Sequence, residues 1–164
     1  RNDPKIWEKI RLEYADVNSL YMGYFLYVVL VPTAVLFLMA LISSVTLYHV
    51  FLSFVSMLLT PFVFAFVMEQ VASRLESQVD RVYALKLVVY TLTPAVLTKV
   101  FAIIPQIEPI ITLLGSIYSI YLMFKAAPLF VTIKEGKGLQ FWGFSIGLSI
   151  VVMMLVVTFF TFFV

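Results

Sequence analysis

Five stretches of nearly uninterrupted apolar residues follow one another from residue 21 to residue 164, and their succession limits what the chain can fold into. A helix needs roughly 20 largely apolar residues to cross about 30 Å of hydrocarbon at about 1.5 Å per residue. The runs fall at about 21–47, 50–71, 87–104, 110–124 and 139–164, and the last carries no charge in 26 residues. Strands of a membrane barrel would alternate apolar and polar residues with period two, which these runs do not. The expectation is an all-α polytopic membrane bundle of five transmembrane helices. His49 marks the tight turn between the first two spans, residues 74–86 hold a cluster of charges, and Pro105, Glu108 and Pro109 punctuate the next break. Lys125 and Pro128 are expected to end the fourth span, the shortest, and Pro32, Pro61 and Pro94 are positioned to kink their helices.

Composition removes several function classes. Of 164 residues, 63% are hydrophobic and 12% charged, about half the charge of a soluble domain, so the chain cannot cover itself in polar surface. A net charge of +2, scattered along the chain, is no nucleic-acid surface. With no cysteine there are no disulfides, thiolate metal sites or cysteine nucleophiles. The polar opening, residues 1–16, lacks the pattern of a secretory signal. Because it begins at Arg1, the sequence is expected to be a fragment or a trimmed form of a longer chain.

Basic residues give an orientation, because short cytoplasmic loops carry the excess of Lys and Arg. Arg1, Lys5, Lys9 and Arg11 precede the first span, Arg74, Arg81 and Lys86 lie between the second and third, and Lys125, Lys134 and Lys137 between the fourth and fifth. Ten of the eleven basic residues therefore fall on one side, leaving Lys99 near the other. Five spans then place the amino end in the cytoplasm and the carboxyl end outside. Residues 1–20 form a lead-in in which Ile6, Ile10 and Val17, with Trp7 and Tyr14, recur at roughly helical spacing beside Lys5, Glu8, Lys9, Arg11 and Glu13. Two readings stand: an amphipathic helix on the cytoplasmic leaflet, or a solvated helix leading into the bilayer.

Leu20, Tyr21, Met22, Gly23 and Tyr24 enter the first span; Tyr83 to Tyr90, then Thr93 and Pro94, occupy the third; Gly115 to Leu122, then Ala127 and Pro128, occupy the fourth; and a loop containing Lys-Gly-Lys leads into the last. In order and spacing these blocks resemble the Yip domain, the Ypt/Rab-interacting family of multi-span proteins, and prokaryotic members more than Golgi ones. Ala127 stands where that family often has glycine before the proline. The resemblance implies a five-helix bundle with a cytoplasmic amino end in residues 21–164. For eukaryotic members it implies membrane traffic and binding of prenylated small GTPases; for prokaryotic members, occasional association with export machinery.

Charges near hydrocarbon are costly, so each needs a partner, the bundle interior or headgroups. Glu69, Ser73, Glu76 and Asp80 are spaced by four, three and four, which would set them on one face of an extended second helix. They read either as an acidic groove for a cation, a proton or a basic side chain, or as carboxylates neutralised by Arg74, Arg81 and Lys86, with Glu69 deepest. Lys99 and Glu108 read as an interfacial pair, or Lys99 as extending to headgroups. His49 has no second ligand type nearby, so no metal is assigned. Gly143 and Gly147, interleaved with Ser145 and Ser149, suit close helix packing within the bundle, or between copies in a homo-oligomer. Ser116, Tyr118, Ser119 and Tyr121 suit interhelical hydrogen bonds or a polar cavity. Phe159, Phe160, Phe162 and Phe163 suit the outer interface or lipid.

No catalytic residues, cofactor site or metal site is assigned, because no nucleophile–base pair, phosphate-cradling loop or dinucleotide fingerprint is present; Gly136 and Gly138 around Lys137 lack Walker spacing. The first expectation is a non-enzymatic scaffold or adaptor in a prokaryotic cell membrane. It would bind membrane-associated proteins, small GTPases or an export complex among them, through mobile loops at residues 1–20, 72–86 and 125–138, with membrane lipids around it. Glu76, Asp80 and Lys86 would belong to that face. The alternative is a small transporter or lipid-handling subunit with a wet midplane cavity lined by Glu69, Pro94, Tyr118 and Tyr121.

Overall fold

The computed structural model describes residues 4–13, 16–42 and 46–162. Arg1, Tyr14 and Phe163, and the side chain of Phe160, all read above from sequence, lie outside what is described. Among the described residues six helices form, which we number α1 (Pro4–Leu12), α2 (Val17–Ile42), α3 (Leu47–Arg74), α4 (Arg81–Ile103), α5 (Glu108–Phe130) and α6 (Gly138–Phe162). All but α1 are long and apolar enough to cross a membrane, as the runs of hydrophobic sequence predict, and the chain is a multi-pass membrane protein by that criterion.

The helix ends follow capping chemistry more closely than charge. Asp80 accepts hydrogen bonds from Val82 N–H (2.9 Å) and Tyr83 N–H (3.2 Å), so α4 starts at Arg81, well before the apolar run at residue 87. The fourth span is expected to be short, but α5 runs for 23 residues, through both Lys125 and Pro128. The Lys125 amine lies 5.8 Å over the Tyr121 ring, and a proline in the final turn forfeits a single backbone bond.

Within α2, residues Tyr21–Phe25 form one π turn. Its widened pitch turns Tyr21, Tyr24 and Phe25 toward the protein: Tyr21 stacks on Phe62 (4.1 Å) and Tyr24 meets Tyr90 (4.8 Å). The Tyr24 hydroxyl also shares a hydrogen bond with Thr93 Oγ1 at 3.0 Å. The block at residues 20–24 thus packs α2 against α3 and α4.

Helix α4 is central, touching α2, α3 and α5, while α6 lies against α3. Buried side chains gather in two clusters, one joining α1, α3, α4, α5 and α6, the other α2, α3 and α4. Nearly all sit toward the end that carries α1 and the loops at residues 75–80 and 131–137, here called the basic end. Toward the opposite end α5 and α6 are mostly exposed, from Leu113 and Leu114 on one to Met154 and Leu155 on the other. The bundle is closed at one end and open between helices at the other.

Candidate functional site: the basic end

Helix α3 stops at Arg74 through a left-handed residue. Glu76 has φ 55°, and Ser77 N–H bonds back to Ala72 C=O (3.0 Å), the reversal that commonly closes a helix. This corrects the expectation of an extended second helix: Glu69, Ser73, Glu76 and Asp80 do not share one face. Each carboxylate has its own task. Glu69 accepts from Arg81 Nε and Nη2, both at 2.7 Å. Glu76 pairs with Lys134 across the loops, and Asp80 caps α4.

Arg81 thus neutralises Glu69 as expected, but Lys86 pairs with no carboxylate among the described residues. Its side chain is 3% exposed, and its amine donates to the backbone carbonyl of Glu13, between α1 and α2, with the Tyr83 ring 5.8 Å away. A buried ammonium held by a neutral carbonyl ties the lead-in to the bundle. Trp7, 8% exposed, does the same from α1, meeting Phe130 edge-on at 6.4 Å. The lead-in docks: α1 rests on the ends of α4 and α5, while its Ile6 and Leu12 stay exposed.

The two interhelical loops are also joined. Gln78 and Thr132 exchange backbone hydrogen bonds (2.9 and 3.1 Å) as an antiparallel bridge, and Lys134 N–H donates to Ser77 Oγ (3.1 Å). Gly136, at φ 77°, lets Lys137 N–H return to Lys134 C=O (3.1 Å), closing the turn before α6. The Glu76 carboxyl titrates below its ordinary range, first through the Lys134 hydrogen bond and then through the charges of Lys134 and Lys137. The expected mobile loops are one cross-braced surface.

Between these parts runs a groove of about 570 Å³, walled by Arg11, Glu69, Ser73, Asp80, Tyr83 and Thr132 among others. Glu69 and Asp80 both line it, so two of the sequence-predicted residues meet there. The remainder of the predicted carrier cavity does not converge. Tyr118 and Tyr121 stack on each other (6.2 Å) and are about half exposed on the outer surface of α5. Pro94 lies in the α4–α5 contact, where Ala95 N–H donates to the buried Ser119 Oγ (3.1 Å).

Three further expectations resolve. Lys99 Nζ and Glu108 Oε1 pair at 2.8 Å, and Thr112 Oγ1 joins them (2.9 Å). His49 serves the start of α3: its N–H and Nδ1 both meet Thr46 Oγ1. Gly143 and Gly147 correct the intramolecular-packing reading, since a Cβ on either would meet nothing within 4 Å; Ser145 and Ser149, not the glycines, are the buried small residues of α6. The glycine that packs closely is Gly115, whose Cβ would fall 2.4 Å from Thr98 Cγ2. Sequence reasoning missed Gln78, Thr132 and Thr98, which carry no spacing signal because their partners are distant in the chain or are backbone.

No family model, curated protein or solved structure matches the chain.

Proposed function

We propose that the chain is a Yip-like membrane adaptor that holds a membrane-associated protein against the bilayer through its basic end. The observation that carries this reading is the bracing of α1 and both loops into one surface around the polar groove. Binding to a preformed surface avoids the cost of ordering loops. Glu69 and Asp80 would accept basic side chains of the partner, Arg11 an acidic one, and Tyr83 would supply an amphipathic contact at the membrane edge. In support stand the ordered Yip-like sequence blocks and the separation of ten basic residues from Lys99, which favours a cytoplasmic basic end in a prokaryotic cell membrane. A small GTPase or a component of an export complex would satisfy this chemistry.

The test is affinity capture from native membranes in mild detergent, comparing the wild type with Ser73→Trp, which fills the groove from an exposed position. The wild type should bring down a stoichiometric protein partner that the variant loses while keeping its helix content. Capture of no such partner, or equal capture by both, would sink the adaptor reading.

A further inference from the structure

We propose that the membrane-embedded cleft between α3, α4 and α6 is a binding site for one acyl chain of a membrane lipid. Thr60 and Phe64 of α3, Leu92 of α4, and Ser149, Met153 and Thr158 of α6 help to enclose about 540 Å³. These positions lie in the middle and the open half of the spans, away from the basic end, where the surrounding medium is hydrocarbon. The site is separate from the polar groove, and it stands whether or not the adaptor reading does.

Water does not suit this space. A buried water wants two to four polar partners, but the hydroxyls of Thr60 and Ser149 are already committed to their own helices, donating to Ser56 C=O (2.7 Å) and Ser145 C=O (2.6 Å). No charged side chain lines the cleft. Along α6 the lining extends from Ser149 to Thr158, about 14 Å of helix. A neighbouring helix is about 10 Å across. A single flexible hydrocarbon chain is thinner and can enter sideways, because α6 packs on α3 and leaves its outer half exposed. The unbranched side chains of Met153 and Met154 can adjust to a chain that is itself flexible. An empty apolar space would forfeit the dispersion contacts that the chain restores.

The experiment uses the whole chain in phosphatidylcholine nanodiscs containing a trace of phosphatidylcholine with a photoactivatable diazirine midway along one acyl chain. After illumination, adducts are mapped by peptide mass spectrometry. Labelling should be several-fold higher at Thr60, Phe64 and residues 150–158 than at Leu113 and Ile117, which face outward on α5 and are as exposed as Ile150 and Met154 on α6. Ile150→Trp, placed at the exposed rim, should abolish that enrichment and leave α5 labelling unchanged. Even labelling of the wild type over α5 and α6 would overturn the proposal, and that measurement needs no variant. Enrichment surviving Ile150→Trp in a protein of unchanged helix content would overturn it too, as would chain-to-chain cross-links through the cleft, which would make a second copy the occupant.

Discussion

Ser119 of α5 accepts a hydrogen bond from the backbone N–H of Ala95 on α4, at 3.1 Å, one residue after Pro94. A proline inside a helix disturbs the backbone ladder around it, and in hydrocarbon a freed polar group finds no water. The hydroxyl of a buried residue, 1% exposed, supplies the missing acceptor from the neighbouring span. Ser119→Ala should therefore destabilise the bundle by about 1 kcal/mol, the scale of membrane interhelical hydrogen bonds. Unfolding in mixed micelles would measure it; no change would mean that Ala95 finds its acceptor within α4.

Gly115 faces the same stretch of α4 one turn away. Its added Cβ would lie 2.4 Å from Thr98 Cγ2, and the Thr98 hydroxyl donates to Ala95 C=O at 2.6 Å, so the side chain cannot simply rotate aside. Gly115→Ala should cost about 1–3 kcal/mol by overpacking. Thr98→Ser deletes the offending methyl and keeps the hydroxyl, so the double variant should recover most of the loss in the same assay. Gly143→Leu and Gly147→Leu, by contrast, should leave the monomer's stability within about 0.5 kcal/mol of wild type, because both positions open on empty space.

Trp7 and Lys86 hold α1 from two sides. Trp7→Ala should cost about 3 kcal/mol of docking and speed tryptic cleavage at Lys9 and Arg11 without unfolding the spans. Lys86→Met replaces a buried cation by an apolar side chain of similar length, a change that is often neutral or stabilising for a fold. It should leave global unfolding nearly unchanged while also speeding that cleavage, since the link to Glu13 C=O is gone. Unaltered proteolysis in both variants would contradict the docking described.

The Glu76–Lys134 link gives the loop surface an acid limit. Glu76 titrates below its ordinary value of 4.5 in the folded protein, so its contribution is complete above that value and is lost as the pH falls from there through the lowered folded value. Amide exchange at Gln78 and Thr132, corrected for intrinsic rates, should accelerate over that window. Lys134→Gln should remove the acceleration; the same pH dependence in the variant would assign it to another group.

Orientation can be read directly because the chain has no cysteine. Single cysteines at Glu135 and Ile107 should react oppositely with a membrane-impermeant maleimide in intact cells, Ile107→Cys labelled and Glu135→Cys protected. The reverse pattern would invert the proposed topology.

Sequence by itself determined the medium, the number of long helices and the gathering of ten basic residues in three segments, whose described parts the structure brings to one end, because lipid requires long uncharged helical runs wherever the chain crosses it. Local chemistry was legible too: Lys99 and Glu108, paired across a short turn, are close in the chain. What only the tertiary structure decided has partners far apart or without side-chain identity. Lys86 finds a backbone carbonyl 73 residues away, and Gln78 pairs with Thr132 through main-chain atoms that any residue carries. Gly143 and Gly147 look more like a packing motif than Gly115 does, but which face of a helix meets a neighbour depends on how the helices rotate against one another. In a span apolar on every side, no hydrophobic stripe records that rotation.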